Sequence, residues 1–176
     1  MLNLMKSRSQ RKQTKNEMIA QIINFSEHQW MKENQYTKLN MTEFFERLPY
    51  DVLYDVFYTK TTIMVRSNGK FACSVSNFHQ NAIIVFPELY QNLTRINDGW
   101  AKAVLAHEVA HIHFDHYQNS DIMETQVDAD EFACKMGYMD ELEDFLHEQP
   151  DSVEKRVRLS FITTYYFAQN QELLND

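Results

Sequence analysis

The chain has 176 residues, 44% of them hydrophobic, with three glycines, three prolines and two cysteines. That is one domain's worth of sequence with enough apolar content for a core. Cys73 and Cys134, far apart in sequence, do not by themselves make a disulfide framework or a cysteine-based zinc site, and read as free thiols in a reducing compartment. A net charge of −8 argues against nucleic acid as a partner.

No apolar run approaches the roughly 20 residues that span a bilayer, and the N-terminus lacks the apolar centre of a signal peptide. The expectation is a soluble, cytoplasmic chain without a membrane partner. Residues 1–15 carry Lys6, Arg8, Arg11, Lys12 and Lys15 and no acid. They read as a flexible basic tail ahead of a single domain over residues 16–176.

In chain order, Asn16 to about Lys32 has helical apolar spacing at Met18, Ile19, Ile22, Ile23, Phe25 and Trp30. A second helix is predicted to open near Asn40, with Glu43 three residues on in the form of a capping box. Pro49 interrupts it, and Val52, Leu53, Val56 and Phe57 continue the apolar face through Tyr58. Thr61 to Val65 is β-branched, Ser67-Asn68-Gly69-Lys70 is a turn signal, and Phe71 to Val75 follows, which predicts a hairpin. Ala82 to Phe86 is a third apolar strand, stopped by Pro87, either a plain core strand or an edge on which an extended peptide can add.

Asn97-Asp98 can cap a long helix reaching about Tyr117. Further helices are predicted from Asp121 to a stop at Gly137, from Met139 to His147, and from Asp151-Ser152 onward after Pro150. The expected architecture is α+β: mostly helical, with a small three-stranded antiparallel sheet.

The long helix carries His107-Glu108-Val109-Ala110-His111. Residues four apart share a helix face, so His107 and His111 can direct two imidazoles at one metal ion. Glu108 beside them can take a proton from a metal-activated water. This is the arrangement of a zinc-dependent peptidase, with Zn2+ as cofactor and a protein or peptide as substrate. His113 should turn away from the metal. His116 could reach it only if the helix ended early, and no glycine marks such an end.

A catalytic zinc usually takes three protein ligands, and the helix after the motif is rich in acids: Glu124, Asp128, Asp130 and Glu131. The stretch from Ala82 to His116 resembles the gluzincin peptidases of the HtpX and CAAX-prenyl-protease type. So do Gln126 to Tyr138, with Ala129-Asp130-Glu131-Phe132-Ala133, and Pro150 to Leu159, with Arg156. In that family a glutamate is the third ligand, and an aspartate four residues later orients a ligand histidine. The resemblance implies Asp130 in the orienting role and puts Gln126, a neutral amide, at the ligand position. Glu124 with Asp128 offers a second register. Asp128 alone offers a third, by similarity to ImmA/IrrE-type metallopeptidases. Helix faces favour the first, because Glu124, Asp128, Glu131 and Lys135 form an all-polar stripe.

The implied activity is a zinc-dependent metalloendopeptidase. The departure at Gln126 keeps a second reading open, a metallopeptidase-like binding or regulatory protein with little or no turnover. A third is a repressor-cleaving protease of the ImmA/IrrE type.

Overall fold

The computed structural model describes residues 13–67, 72–75 and 80–173. The basic tail to residue 12, the Asn68-Gly69 turn and His79 lie outside the described residues.

Helix α1 spans Lys15–Ile23 and is opened by Thr14, whose hydroxyl accepts from the Glu17 amide while Glu17 answers in a capping box. The single helix expected to Lys32 breaks after Ile23, and a 3-10 segment follows over Ser26–Lys32. Helix α2 spans Gln35–Arg47 and starts from Asn34, whose side chain accepts from Tyr36 and Thr37. The cap expected at Asn40 is therefore misplaced. Asn40 is buried in mid-helix, where it donates to the carbonyls of Leu93 and Arg95. Helix α3, Tyr50–Tyr54, runs into a π-helical turn over Asp55–Thr59.

Strands β1 (Ile63–Arg66), β2 (Ala72–Val75) and β3 (Ala82–Val85) form one sheet in the order β1-β3-β2. The expected three-stranded antiparallel sheet is not what forms. β1 runs parallel to β3, only β2 is antiparallel to it, and β1 and β2 do not pair as a hairpin. The physical reason is the continuous apolar run of β3. Ile83 and Val85 on one face of it are fully buried, and Ala82 and Ile84 on the other are half-buried. β3 is thus the central strand and offers no edge for a peptide. The outer edge of β1 is closed by the 3-10 segment: His28 Nε2 accepts from the Met64 amide at 2.8 Å, and Trp30 Nε1 donates to the Met64 carbonyl at 3.0 Å. Among the described residues, no strand pairs with the outer edge of β2.

Pro87, expected as a strand stop, is the first residue of α4 (Pro87–Leu93), where its missing N–H costs nothing. Helix α5 (Ala101–His113) follows and is the centre of the molecule. Ala103, Leu105, Ala106, Val109 and Ala110 are fully buried on its several faces, as expected of a helix enclosed by others. Helix α6 (Ile122–Lys135) opens at Asp121, which accepts from Met123 and Glu124, and lays Ala129 and Ala133 against α5. Small residues on both helices bring the two backbones close. Helices α7 (Met139–Glu148) and α8 (Val153–Leu173) complete the core through Leu142, Leu146 and Ile162.

Candidate active site

The helical register of α5 puts the His107 and His111 Nε2 atoms 3.0 Å apart, the rings crossed at 81°. His107 is buried and its Nδ1 lies 2.8 Å from Asp130 Oδ1 of α6. Asp130 is fully buried and paired on its other side with Arg158 of α8, whose Nε and Nη2 donate to Oδ2 and Oδ1, each at 2.7 Å. Burial pushes the Asp130 carboxyl up, but the His107 and Arg158 hydrogen bonds outweigh it and hold the group below the usual carboxylate range. Asp130 is therefore a carboxylate, which fixes the His107 proton on Nδ1 and turns its Nε2 lone pair toward His111.

Arg158 was not singled out by the sequence; Arg156 was. Arg156 is exposed and pairs with Asp151 at 2.6 Å. Two residues make about half a helical turn, so only one of the two arginines can face the core. Arg158 stands four residues before the buried Ile162, and that spacing is the signal that marks it.

Glu108 is half-buried at the floor of a cleft of about 560 Å³. Burial pushes its pKa up, opposed by the charge of His107 and by hydrogen bonds from the Ser74 hydroxyl and backbone. Ser74 belongs to β2, so that strand meets the motif helix at Glu108. Nothing in the sequence marked Ser74.

Among the third-position candidates, Gln126 is half-buried, with its Nε2 3.4 Å from His111 Nε2. A half-turn of the amide presents its oxygen to the same point. Glu124 is exposed and accepts from Asn119 at 3.1 Å. Asp128 is exposed, with Oδ2 3.9 Å from His116 Nε2.

His116 departs from expectation because α5 stops at His113 without a glycine. Asp115 takes the left-handed turn itself, at φ 54°, and aspartate is among the few residues that do so readily. Lys60 holds that end: its ammonium donates to the carbonyls of Ile112 and His113, each at 2.7 Å, and pairs with Asp115 at 2.9 Å. The turn buries His116 and brings its Nδ1 to 2.8 Å from His111 Nδ1. His113 points away and meets Asp55 at 2.8 Å. Burial first, then the neighbouring charges of His107, His116 and Arg158, push the His111 pKa down to about 3. His116 is lowered too, by burial ahead of the opposing charge of Asp128. Both rings are neutral at neutral pH, the form that binds metals.

Among the described residues, no three His, Cys, Asp or Glu side chains are grouped to hold a metal ion. The donors that converge are His107, His111 and the amide of Gln126. Two nitrogens sharing a tetrahedral zinc at 2.0–2.1 Å stand about 3.3 Å apart, close to the 3.0 Å found here. The set fits a divalent ion with one neutral oxygen in place of an anionic one. Val104, Leu142, Phe145 and Ile122 give the cleft an apolar side beside these donors.

The cleft thus brings together two convergent imidazoles and a carboxylate. A sequence profile of Peptidase family M48 matches residues 59–170. The chain belongs to this family of metallopeptidases. Its matched segment contains the sheet, the motif helix, α6 and Arg158. No curated protein and no solved structure matches the chain. Among the described residues, no helix is long and apolar enough to cross a membrane.

Proposed function

We propose that the chain is a zinc-dependent metalloendopeptidase, built as a single metallopeptidase-like domain over residues 16–176. His107, His111 and Gln126 hold the metal, and Asp130 orients His107. When bound, zinc supplies Lewis-acid chemistry that polarises a scissile carbonyl and acidifies water. Glu108 takes the proton of the attacking water and returns it to the leaving amine. Burial raises its pKa above the usual carboxylate range, the direction that makes it a better proton acceptor. The β2 edge pairs with the substrate main chain, and the apolar side of the cleft takes a side chain. Within the family, Ala129-Asp130 and the Pro150–Leu159 run favour relatives of the HtpX and CAAX-prenyl-protease type.

The observation that carries this reading is the pair of imidazole nitrogens 3.0 Å apart, one of them oriented by a buried carboxylate. The test is zinc content per chain together with casein cleavage, for wild type and Glu108→Ala. One zinc per chain and cleavage abolished by the substitution are expected. Absence of zinc binding under zinc-replete conditions would overturn it.

Gln126 favours a second reading, a metallopeptidase-like binding protein with little turnover. That reading is supported if zinc and peptides bind but cleavage in wild type is no faster than in Glu108→Ala.

A further inference from the structure

The cleft in front of the histidine pair combines an apolar wall left in water with a negatively charged surround. Tyr117 and Ile122 line it and are 65% and 71% exposed. Val104, Leu142 and Phe145 continue the same surface inward. Large apolar side chains held open at a cleft of about 560 Å³ mark a binding surface rather than a core.

Carboxylates are attached to this lining at several points. Asn119 lines the cleft and donates to Glu124 at 3.1 Å. Arg158 lines it too, with Glu154 3.5 Å away. Trp100 packs on the lining Phe145, ring centroids 5.0 Å apart, and donates to Glu148 at 2.9 Å. All three glutamates are exposed. Residues 121–154, which include α6 and α7, hold twelve Asp and Glu against one Lys. That exceeds the net charge of −8, so the remainder of the chain is positive on balance and the negative charge is gathered on the elements that wall the cleft. Of the described residues lining the cleft, Arg158 alone carries a fixed positive charge, and Asp130 neutralises it.

We propose that the cleft selects cationic peptides: a large apolar side chain of the substrate seats against Tyr117, Ile122 and Phe145, and lysines or arginines beside it pair with Glu124, Glu148 and Glu154. The inference rests on the cleft being the peptide-binding site of the proposed endopeptidase. The acids alone would draw any cation. The apolar wall beside them adds the demand for a bulky side chain, because its burial removes apolar surface from water on both partners. An acidic peptide meets the same wall but is repelled by the carboxylates, which reach about 10 Å into water at 0.1 M salt.

Binding is measured by fluorescence anisotropy on the full chain carrying Glu108→Ala, with zinc present, so that bound peptide is not consumed. Three labelled peptides share one length: phenylalanine flanked by lysines, phenylalanine flanked by glutamates, and alanine flanked by lysines. The first should bind about tenfold tighter than either of the others. Its advantage over the glutamate peptide should vanish at about 1 M salt, where the screening length is about 3 Å. The advantage should fall to about twofold or less in Glu124→Lys/Glu154→Lys. It should persist in Glu27→Lys/Glu33→Lys, an equal change of charge at the 3-10 segment beside β1. Circular dichroism confirms that each variant is folded, and Glu124→Gln/Glu154→Gln, which should also narrow the advantage, serves if the lysine pair does not fold. Equal affinity for the lysine and glutamate peptides, or for the phenylalanine and alanine peptides, overturns the inference. So does no binding at all, or the same loss in both double variants. Cleavage by wild type separates the inference from the reading beneath it. Cleavage without charge preference leaves the endopeptidase standing alone. Charge-selective binding without cleavage by the zinc-loaded wild type leaves the selectivity standing and overturns the endopeptidase.

Discussion

Arg158 grips the fully buried Asp130 with two nitrogens, Nε on Oδ2 and Nη2 on Oδ1, and the pair ties α8 to α6 directly behind His107. Removing the guanidinium leaves a carboxylate buried without its counter-charge. Arg158→Met should therefore lose about 3–5 kcal/mol of stability in urea denaturation. Arg158→Lys should recover little of it, because an ammonium cannot span both oxygens. Unchanged stability in Arg158→Met would show that Asp130 is solvated and that the pair is not a structural joint.

On the proposed ligand set, the neutral amide at Gln126 limits metal affinity. Gln126→Glu places a negative charge beside the His107 and His111 nitrogens and should tighten zinc binding about 10- to 100-fold, roughly 1.4–2.8 kcal/mol. Gln126→Ala should weaken it. Chelator competition measures both, and equal affinity in all three proteins would remove Gln126 from the ligand set.

Lys60 closes the C-terminal end of α5 and the Asp115 turn at once. Lys60→Met leaves two helix-end carbonyls without their donor and should cost about 1–3 kcal/mol by thermal or chemical denaturation. Asp115→Val should be destabilising for a separate reason, since a β-branched residue is strained at φ 54°. Asp115→Gly relieves the strain but forfeits the ion pair, and should fall between Asp115→Val and wild type.

His28 links pH to stability far from the motif. It is fully buried, with Nδ1 at 2.7 Å from the Ile22 carbonyl and Nε2 accepting from Met64. The Met64 contact requires the neutral ring, because a protonated Nε2 cannot accept, whereas Nδ1–H donates to Ile22 in either form. Burial lowers its pKa, against smaller opposing effects of the Ile22 hydrogen bond and Glu27. The unfolded chain takes up this proton near pH 6.5, before the folded one does. The His28 contribution is therefore complete above about pH 6.5 and declines as the pH falls toward the folded value, by at most about 1.4 kcal/mol per pH unit. The difference in melting temperature between wild type and His28→Gln should shift against wild type from pH 7 to pH 5. A constant difference would show that His28 does not titrate on unfolding.

The fold was legible where local pattern decided the outcome. α6 opens at Asp121, where the helix is predicted to begin, Gly137 follows the helix at φ 79°, and α7 starts at Met139. The pattern misled at Asn40, because a polar residue between apolar positions looks the same whether it caps a helix or is buried within one. Two carbonyls more than 50 residues away explain its burial. It misled again on the sheet, since the turn signal at Asn68-Gly69 speaks only for its own neighbourhood. Which strand lies in the middle is settled by how much apolar surface each must cover on both faces.

The sequence by itself determined the helical spacing of His107, Glu108 and His111, because that follows from 3.6 residues per turn. It also determined that Glu124, Asp128, Glu131 and Lys135 share a face, and that the chain carries a glutamine at position 126. Only the tertiary structure decided what stands behind those residues. Arg158 rather than Arg156 reaches Asp130, Ser74 of a strand edge meets Glu108, and a left-handed aspartate turns His116 onto His111. Each of these depends on how two or more elements pack, and a contact between elements leaves no period in the sequence to read.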